Sequence, residues 1–234
     1  MMKIVISGYG RMGKEIFSIL QEKEHVSLFT TDDIVAFDPA IASEAVCIDF
    51  TTPGAFRNNY RHIADSFRAA VIGTTGWSDI KDEVTGYFRE RGTTMIYASN
   101  FSIGVNIFLE IARISSSLLA SAGDYDHYIT EFHHKYKLDA PSGTAGTIRE
   151  IVEKETGKTC PVQSVRCGHI PGTHNLGFES EDDRIVLTHE AFSRRGFAAG
   201  AVQAAYWTSG LEGVFDFREL LRDKFKKALS NERG

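Results

Sequence analysis

The amino-terminal stretch constrains this chain more than any other. Lys3-Ile4-Val5-Ile6-Ser7 has the apolar run of a buried strand and passes directly into Gly8-Tyr9-Gly10-Arg11-Met12-Gly13. Met12, Ile16, Ile19 and Leu20 then recur at helical spacing, and Val26 to Thr30 resumes a strand. A bare GxGxxG is a common accident of glycine-containing loops; strand, GxGxxG, helix, strand is the context that gives it a mechanism. The glycines allow a tight turn and let the backbone approach a pyrophosphate held at the helix N-terminus. A Rossmann-type α/β domain is expected, with Gly8, Tyr9, Gly10, Arg11, Met12 and Gly13 against a dinucleotide.

The carboxylate that reads the ribose should follow the second strand, where Asp32 and Asp33 stand after Thr30-Thr31. The plainer role for both is to cap the next turn. No arginine follows to hold a 2′-phosphate, which favours NADH over NADPH, although Thr30, Thr31 and a remote lysine could hold one. Further strands are expected at Ala45 to Phe50, Ala70 to Thr74 and Thr94 to Ala98, with Ala55 to Phe67 as a crossover helix and Asp32 to Glu44 crossing as a loop. The turns after these strands contain Phe50, Thr51, Gly73, Thr74, Thr75, Ser99, Asn100 and Phe101. Ligands in open parallel sheets bind outside the carboxyl ends of the strands, so these residues are expected to line the cofactor crevice.

The chain of 234 residues is long enough for one large domain or two modest ones. Its net charge of −5 supplies no basic field, so nucleic acid is not an expected partner. No apolar run approaches the roughly 20 residues of a membrane span, and the start reads as a first strand and not as a signal peptide. Cys47, Cys160 and Cys167 are odd in number and lack CxxC spacing, which fits a reducing, cytoplasmic setting.

Ile103 to Ala122 reads as a long helix leading to a second domain. Strand patterns at Tyr125 to Phe132, Ser164 to His169, His174 to Phe178 and Arg184 to His189 suggest an open, mixed sheet of about four strands. Ala198 to Trp207 returns to helix, and Phe217 to Leu229 forms a last helix with Leu220, Leu221, Phe225 and Leu229 on one side. The division expected is 1–102 for the nucleotide and 103–214 for substrate and assembly, with a helix from about 215 to 234 packing back on the first domain. Helices on one face of the second sheet leave its other face to be buried by another subunit, so a homo-oligomer is expected.

The densest chemistry lies in Glu131 to Thr147, EFHHKYKLDAPSGTAGT. A strand ending at His133-His134 delivers imidazoles to its edge, and Lys137 follows four residues after His133. Asp139-Ala140-Pro141 forbids a helix before Pro141, and Ser142-Gly143-Thr144 opens a helical pattern with Ser142 as its cap. Capping alone is the bland account of that Ser-Gly-Thr, and a lone histidine is more often structural than catalytic. Here an acid donor, a cation and an anion-binding helix start crowd into one loop. His169 and His174 flank Pro171-Gly172 and with His133 and His134 raise the question of zinc. No HExxH or carboxylate-flanked set accompanies them, and Cys160 to Cys167 is a poor spacing, so no metal is expected.

The chain resembles the 4-hydroxy-tetrahydrodipicolinate reductase (dihydrodipicolinate reductase) family. The matching pieces run in family order: Gly8 to Gly13, Asp49-Phe50-Thr51-Thr52-Pro53, Gly73-Thr74-Thr75-Gly76, Ser99 to Asn106, Glu131 to Ala145, and Phe197 to Ala201. The block EFHHKYKLDAPSGTA is the most discriminating of them. The resemblance implies an NADH- or NADPH-dependent reductase of lysine biosynthesis by the diaminopimelate route, acting on a cyclic dicarboxylate imine and assembled as a tetramer through the second domain. It implies His133 as general acid, Lys137 as its support and a substrate cation, and His134, Ser142, Gly143 and Thr144 as dicarboxylate-binding groups. Two departures, the shorter Gly8-Tyr9-Gly10 and the short segment between the second and third strands without an arginine after the acid, bear on cofactor preference. Alternatives from other classes are a different nicotinamide enzyme, such as an aspartate dehydrogenase, and a non-catalytic nucleotide sensor.

Overall fold

The structure, a computed structural model, describes residues 1–231; residues 232–234 and the side chain of Leu229, both assigned above to the last helix, lie outside the described residues. In chain order the elements are β1 (Met2–Ser7), α1 (Arg11–Leu20), β2 (Val26–Thr31), α2 (Pro39–Ala42), β3 (Ala45–Asp49), α3 (Pro53–Ser66), β4 (Ala69–Ile72), α4 (Lys81–Arg91) and β5 (Thr94–Tyr97). There follow α5 (Ile103–Ala122), β6 (Asp126–His133), α6 (Gly143–Thr156), β7 (Val162–Arg166), β8 (Thr173–Glu179), β9 (Arg184–Glu190), α7 (Arg195–Trp207), β10 (Val214–Asp216) and α8 (Phe217–Asn231). They form two compact units: Met1–Ile103 together with the chain from Arg195 onward, and Gly104–Arg194.

The first unit holds a parallel sheet in the order β10-β5-β4-β3-β1-β2. Its strands are apolar on both faces because both are covered. Ile4, Ile6, Val46, Ile48 and Val71 pack with α1 and α7, while Val5, Cys47, Ala70 and Ile72 pack with Phe56, Ile63 and Phe88 of α3 and α4. The register pairs Ser7 with both Thr31 and Asp49, Asp49 with Ile72, and Ile72 with Tyr97. The strands therefore end together, and the turns that follow line one edge of the sheet. The chain reverses its strand order beside β1, where a doubly wound sheet opens its crevice.

Three features depart from expectation. The boundary assigned to residue 214 falls at Arg194, because α7 belongs to the first unit. Ala198, Ala201, Ala204 and Ala205 are small enough to bring α7 down onto the sheet, and a Cβ on Gly200 would lie 1.8 Å from the Phe101 carbonyl oxygen. β10 adds a sheet edge that three residues are too short to announce. The segment from Asp32 to Glu44 is mostly loop, but Asp38 caps a single helical turn, its side chain accepting from the Ala40 N–H.

In the second unit the sheet order is β7-β6-β8-β9, with β6–β7 parallel and the other pairs antiparallel. Alternate residues of β6, His127, Ile129, Glu131 and His133, are buried on the face that α5 and α6 cover. Phe132 and Val165 are paired on the opposite face, and Val165 and Val186 remain 38% and 47% exposed. α5 is long and apolar enough to cross a membrane by length and composition, which corrects the expectation that no such run exists. Its Val105, Phe108, Leu109 and Ala112 pack in the core of this unit, and a Glu110–Arg113 ion pair of 2.7 Å lies at its middle, as in a core helix.

Candidate active site

The glycine turn after β1 has the shape a pyrophosphate requires. Gly8 sits at φ +88, and a Cβ there would meet the Phe50 carbonyl oxygen at 2.8 Å. Gly13 lies inside α1 against the turn itself: its Cβ would be 2.2 Å from the Gly8 oxygen, so only glycine lets helix and strand approach. Gly10, the N-cap, is different, because a Cβ there meets nothing within 4 Å. Among the described residues no neighbour forces a glycine at that position, whereas a phosphate approaching a helix N-terminus would. Asp32 and Asp33 differ in their partners. Asp33 accepts from the Val35 and Ala36 amides and caps its turn, while Asp32 accepts from the Tyr9 N–H at 3.2 Å within the glycine loop. Tyr9 is exposed with Phe17 at the edge of its ring; Arg11 is exposed and Met12 half-buried at the start of α1.

The turns after β3 and β4 are tied together by a residue the sequence reading passed over. Asp49, fully buried, accepts from the Thr51 and Thr74 hydroxyls, and Thr74 Oγ accepts from the Thr51 N–H at 2.8 Å. Burial pushes its carboxyl above the usual range, and hydrogen bonds from Thr74, Ser7 and Thr51 oppose that rise. Gly73 must be glycine because the Phe50 ring occupies the space of its Cβ. Thr75 and Ser99 are exposed and Asn100 is half-buried, while Phe101 is 2% exposed and packs on Phe217 at 4.8 Å. Phe101 thus serves the core with its ring.

In the second unit two of the predicted residues, His133 and Ser142, meet at a carboxylate. β6 alternation places Glu131 and His133 on one face, and Glu131 Oε2 is bonded to His133 Nδ1. Glu131 Oε1 accepts from Arg166 Nη2 at 2.6 Å and from the Ser142 N–H at 3.3 Å. Across the sheet, His174 is paired directly with Glu131, and its Nε2 lies 3.0 Å from Ser142 Oγ. Ser142 Oγ also accepts from the Ala145 N–H and caps α6. The α6 start leaves Gly143 exposed and Thr144 half-buried, a helix N-terminus open to an anion. Lys137 reaches Asp139 at 2.8 Å, and its side chain keeps 23% exposure. His134 is half-buried with its ring near Tyr136, and its Nδ1 has no hydrogen-bond partner among the described residues.

Charges here follow burial and partners. Burial would raise Glu131, but hydrogen bonds from Arg166 and Ser164 and the charges of His133 and Arg166 hold it down at about 2. Burial lowers His133, with Lys137 and Arg166 adding to the effect and Glu131 opposing it. His174 is pushed down to about 4, by burial first and by His133 second. One atom of each of Glu131, His133 and His174 lies within 4.8 Å of the others, a set that could ligate a metal. It is not the His133, His134, His169, His174 group weighed from sequence, since His169 is exposed in the loop after β7. The Arg166 guanidinium on Glu131, together with the nearby Lys137 charge, opposes a further cation.

The family descriptions "Dihydrodipicolinate reductase, N-terminus" and "Dihydrodipicolinate reductase, C-terminus" match residues 2–101 and 104–221. The chain belongs to the dihydrodipicolinate reductase family. It is 36% identical to the 4-hydroxy-tetrahydrodipicolinate reductase of Christiangramia forsetii, over 96% of this chain and all of that one. It is 37% identical to the enzyme of that name from Methanoculleus marisnigri, over 91% and 95% of the two chains. Among solved structures, the dipicolinate-bound dihydrodipicolinate reductase of Paenisporosarcina sp. TG-14 superposes with a TM-score of 0.81 at 20% identity, covering 94% of this chain and 99% of that one. The dihydrodipicolinate reductase family is one of nicotinamide-dependent oxidoreductases, and the α/β fold with a second, mixed-sheet domain is the architecture expected from the sequence.

Within this reductase fold, five site residues carry no role in the sequence reading: Asp49, Glu131, Arg166, His174 and Gly172. A Cβ on Gly172 would lie 3.0 Å from His133 Nε2. Arg166 and His174 become neighbours of Glu131 only through strand pairing, which sequence spacing does not carry. Asp49 was visible as the charged end of an otherwise apolar strand.

Proposed function

We propose that this chain reduces the unsaturated cyclic imine derived from 4-hydroxy-tetrahydrodipicolinate to tetrahydrodipicolinate in the diaminopimelate route to lysine. The observation that carries the reading is the buried Glu131–His133 pair beside an α6 N-terminus capped by Ser142, with Lys137 close by. A dianionic substrate needs cations and amides: Lys137, His134 and the Ser142-Gly143-Thr144 turn supply them. The turn at Gly8, Gly10 and Gly13 fits a nicotinamide dinucleotide, because the open space at Gly10 suits a pyrophosphate. When bound, that cofactor supplies the hydride. The chain's own part is to hold the dicarboxylate and to deliver a proton from His133 to the carbon that becomes carbanion-like in the ring. Two negative charges from the substrate favour the imidazolium that burial disfavours, so binding readies the acid.

NADH is the preferred form in this reading. Asp32 presents a carboxylate beside the glycine loop, and a 2′-phosphate at the same place would meet like charge. The apolar residues left on the open face of the second sheet support a homotetramer formed through the second domain, and the three unpaired cysteines fit the cytoplasm.

The test is a coupled assay following nicotinamide absorbance with enzymatically generated substrate, run with NADH and with NADPH, alongside an oxaloacetate-plus-ammonia arm. Turnover in the first arms supports the reading. Turnover only in the last would reassign the chain to amino-acid dehydrogenation. Light scattering on the eluted protein would give the subunit number.

A further inference from the structure

The reading of His133 as an acid leaves open which nitrogen bears the travelling proton and what sets it. Nδ1 faces the Glu131 carboxylate, which has no exposed surface at all. Nε2 faces Gly172, where the missing side chain leaves the nitrogen uncovered; a Cβ there would press on it at 3.0 Å. The carboxylate is itself fixed on both oxygens. Oε1 takes Arg166 Nη2 at 2.6 Å and the Ser142 N–H, and Oε2 takes the imidazole. Arg166 is held in turn by the Asp139 carbonyl at 2.7 Å. The order guanidinium, carboxylate, imidazole thus runs inward from β7 to β6.

We infer that Glu131 is a positioning residue for His133: it holds the neutral ring as the Nδ1–H tautomer and so makes Nε2, on the Gly172 side, the only proton-delivering atom. A carboxylate has no proton to offer at neutral pH, so the hydrogen in that bond belongs to the imidazole. In the charged ring both nitrogens carry hydrogen. When Nε2 gives its proton to the substrate carbon, the N–H bond breaks, a C–H bond forms, and the ring is left neutral with its hydrogen on Nδ1 toward Glu131. Solvent then returns a proton to Nε2. Glu131 touches no reacting atom in this scheme; it acts through the ring, as the buried carboxylate does for other catalytic imidazoles.

The groups facing His133 from every packed element decide the pH behaviour. Glu131 on β6 favours the charged ring, whereas Lys137 in the following loop and Arg166 on β7 disfavour it. His174 on β8, with ring centroids 5.2 Å apart, is held neutral beside it. Replacing Glu131 by glutamine removes its favouring charge and keeps the shape.

The inference rests on the reductase reading, but its first test does not need turnover. Nitrogen-15 spectra of histidine-labelled full-length protein, with the His133 signals assigned by their loss in His133→Gln, report the tautomer directly. The expected result at alkaline pH is protonated Nδ1 and unprotonated Nε2. The opposite tautomer in the wild-type protein would overturn the inference even if His133 proves essential. The second test is Glu131→Gln in the reductase assay. The expected result is a fall in kcat of about 10²-fold with KM changed less than about threefold, and an alkaline limb moved about one pH unit lower. Glu131→Asp, which restores charge at a shorter reach, should recover part of kcat and return the limb toward its wild-type position. A Glu131→Gln protein that melts as the wild type does and keeps its pH profile would refute the role; if that variant does not fold, the wild-type spectra decide alone.

Discussion

In the turn after β1 the residues that matter are those without side chains; around Glu131 they are those whose side chains meet. Gly8, Gly10 and Gly13 lie within one turn and act through backbone shape, so each works almost alone. Glu131, His133, Arg166, Ser142 and His174 come from three strands and a helix start, and each is held against the charge or dipole of another. The contrast separates two ways of building a polar site. A glycine cradle leaves solvent-facing donors that cost little when unfilled, whereas a buried ionic cluster is tolerable only when complete, because an unpartnered charge there is expensive.

Five substitutions would break or sharpen that contrast. The largest effect is expected from His133→Gln, with turnover lower by about 10²–10⁴-fold and modest change in substrate KM. Steady-state assays at several pH values check it, and unchanged turnover would remove His133 from the chemistry. Next comes Gly13→Ala. Its methyl would lie 2.2 Å from the Gly8 oxygen, so the helix must move, and a loss of about 2–3 kcal/mol in urea unfolding is expected along with weak nucleotide binding. Gly10→Ala sharpens the same point: its methyl has open space, so only the modest loss of an N-cap glycine is expected in Tm, well short of that in Gly13→Ala, while nucleotide affinity falls. Equal destabilisation by the two would mean that both glycines serve the fold.

Acid stability probes the other region. His174 has its folded value pushed from 6.5 to about 4, so the unfolded chain binds the extra proton first. Its contribution is fully present above pH 6.5 and is lost as pH falls toward 4, to the extent of roughly 3 kcal/mol. His174→Gln should flatten that part of the profile in denaturant titrations, leaving His133 and His189, also lowered by burial, to supply the remaining slope. An unaltered slope would show that His174 titrates normally. The smallest effect belongs to Asp32→Ser, expected to move the NADPH-to-NADH ratio of kcat/KM upward by about tenfold. Kinetics with both nucleotides measure it, and a ratio that stays put would take Asp32 away from the ribose.

The same contrast explains what the sequence could carry. The first turn was legible because all of its parts are neighbours in the chain and its periodicities switch from strand to helix within one short segment. So were the long helix Ile103–Ala122 and the cap at Ser142, since capping is a local event. The partners of Glu131 were not legible, because Arg166 and His174 reach it through the pairings His133↔Arg166 and Glu131↔His174. Glu131 itself stood two residues from His133 on a strand, which by alternation puts them on one face. α7 was assigned to the wrong unit for a related reason: an alanine-rich helix states that it packs closely but not upon what. What α7 packs upon is fixed by Gly200 against the Phe101 carbonyl, a contact between residues far apart in the chain that no local pattern carries.

That late return of the chain has a consequence for biosynthesis. The sheet that begins with β1 lacks one edge strand and a covering layer until α7 and β10 have been made. The inserted 104–194 segment, by contrast, carries its own sheet and helices and is complete earlier. A nascent chain would therefore expose Ile96, Phe101 and their apolar neighbours to the cell while the younger portion is already shaped, and the oldest portion can close only once α7, β10 and the start of α8 have been made.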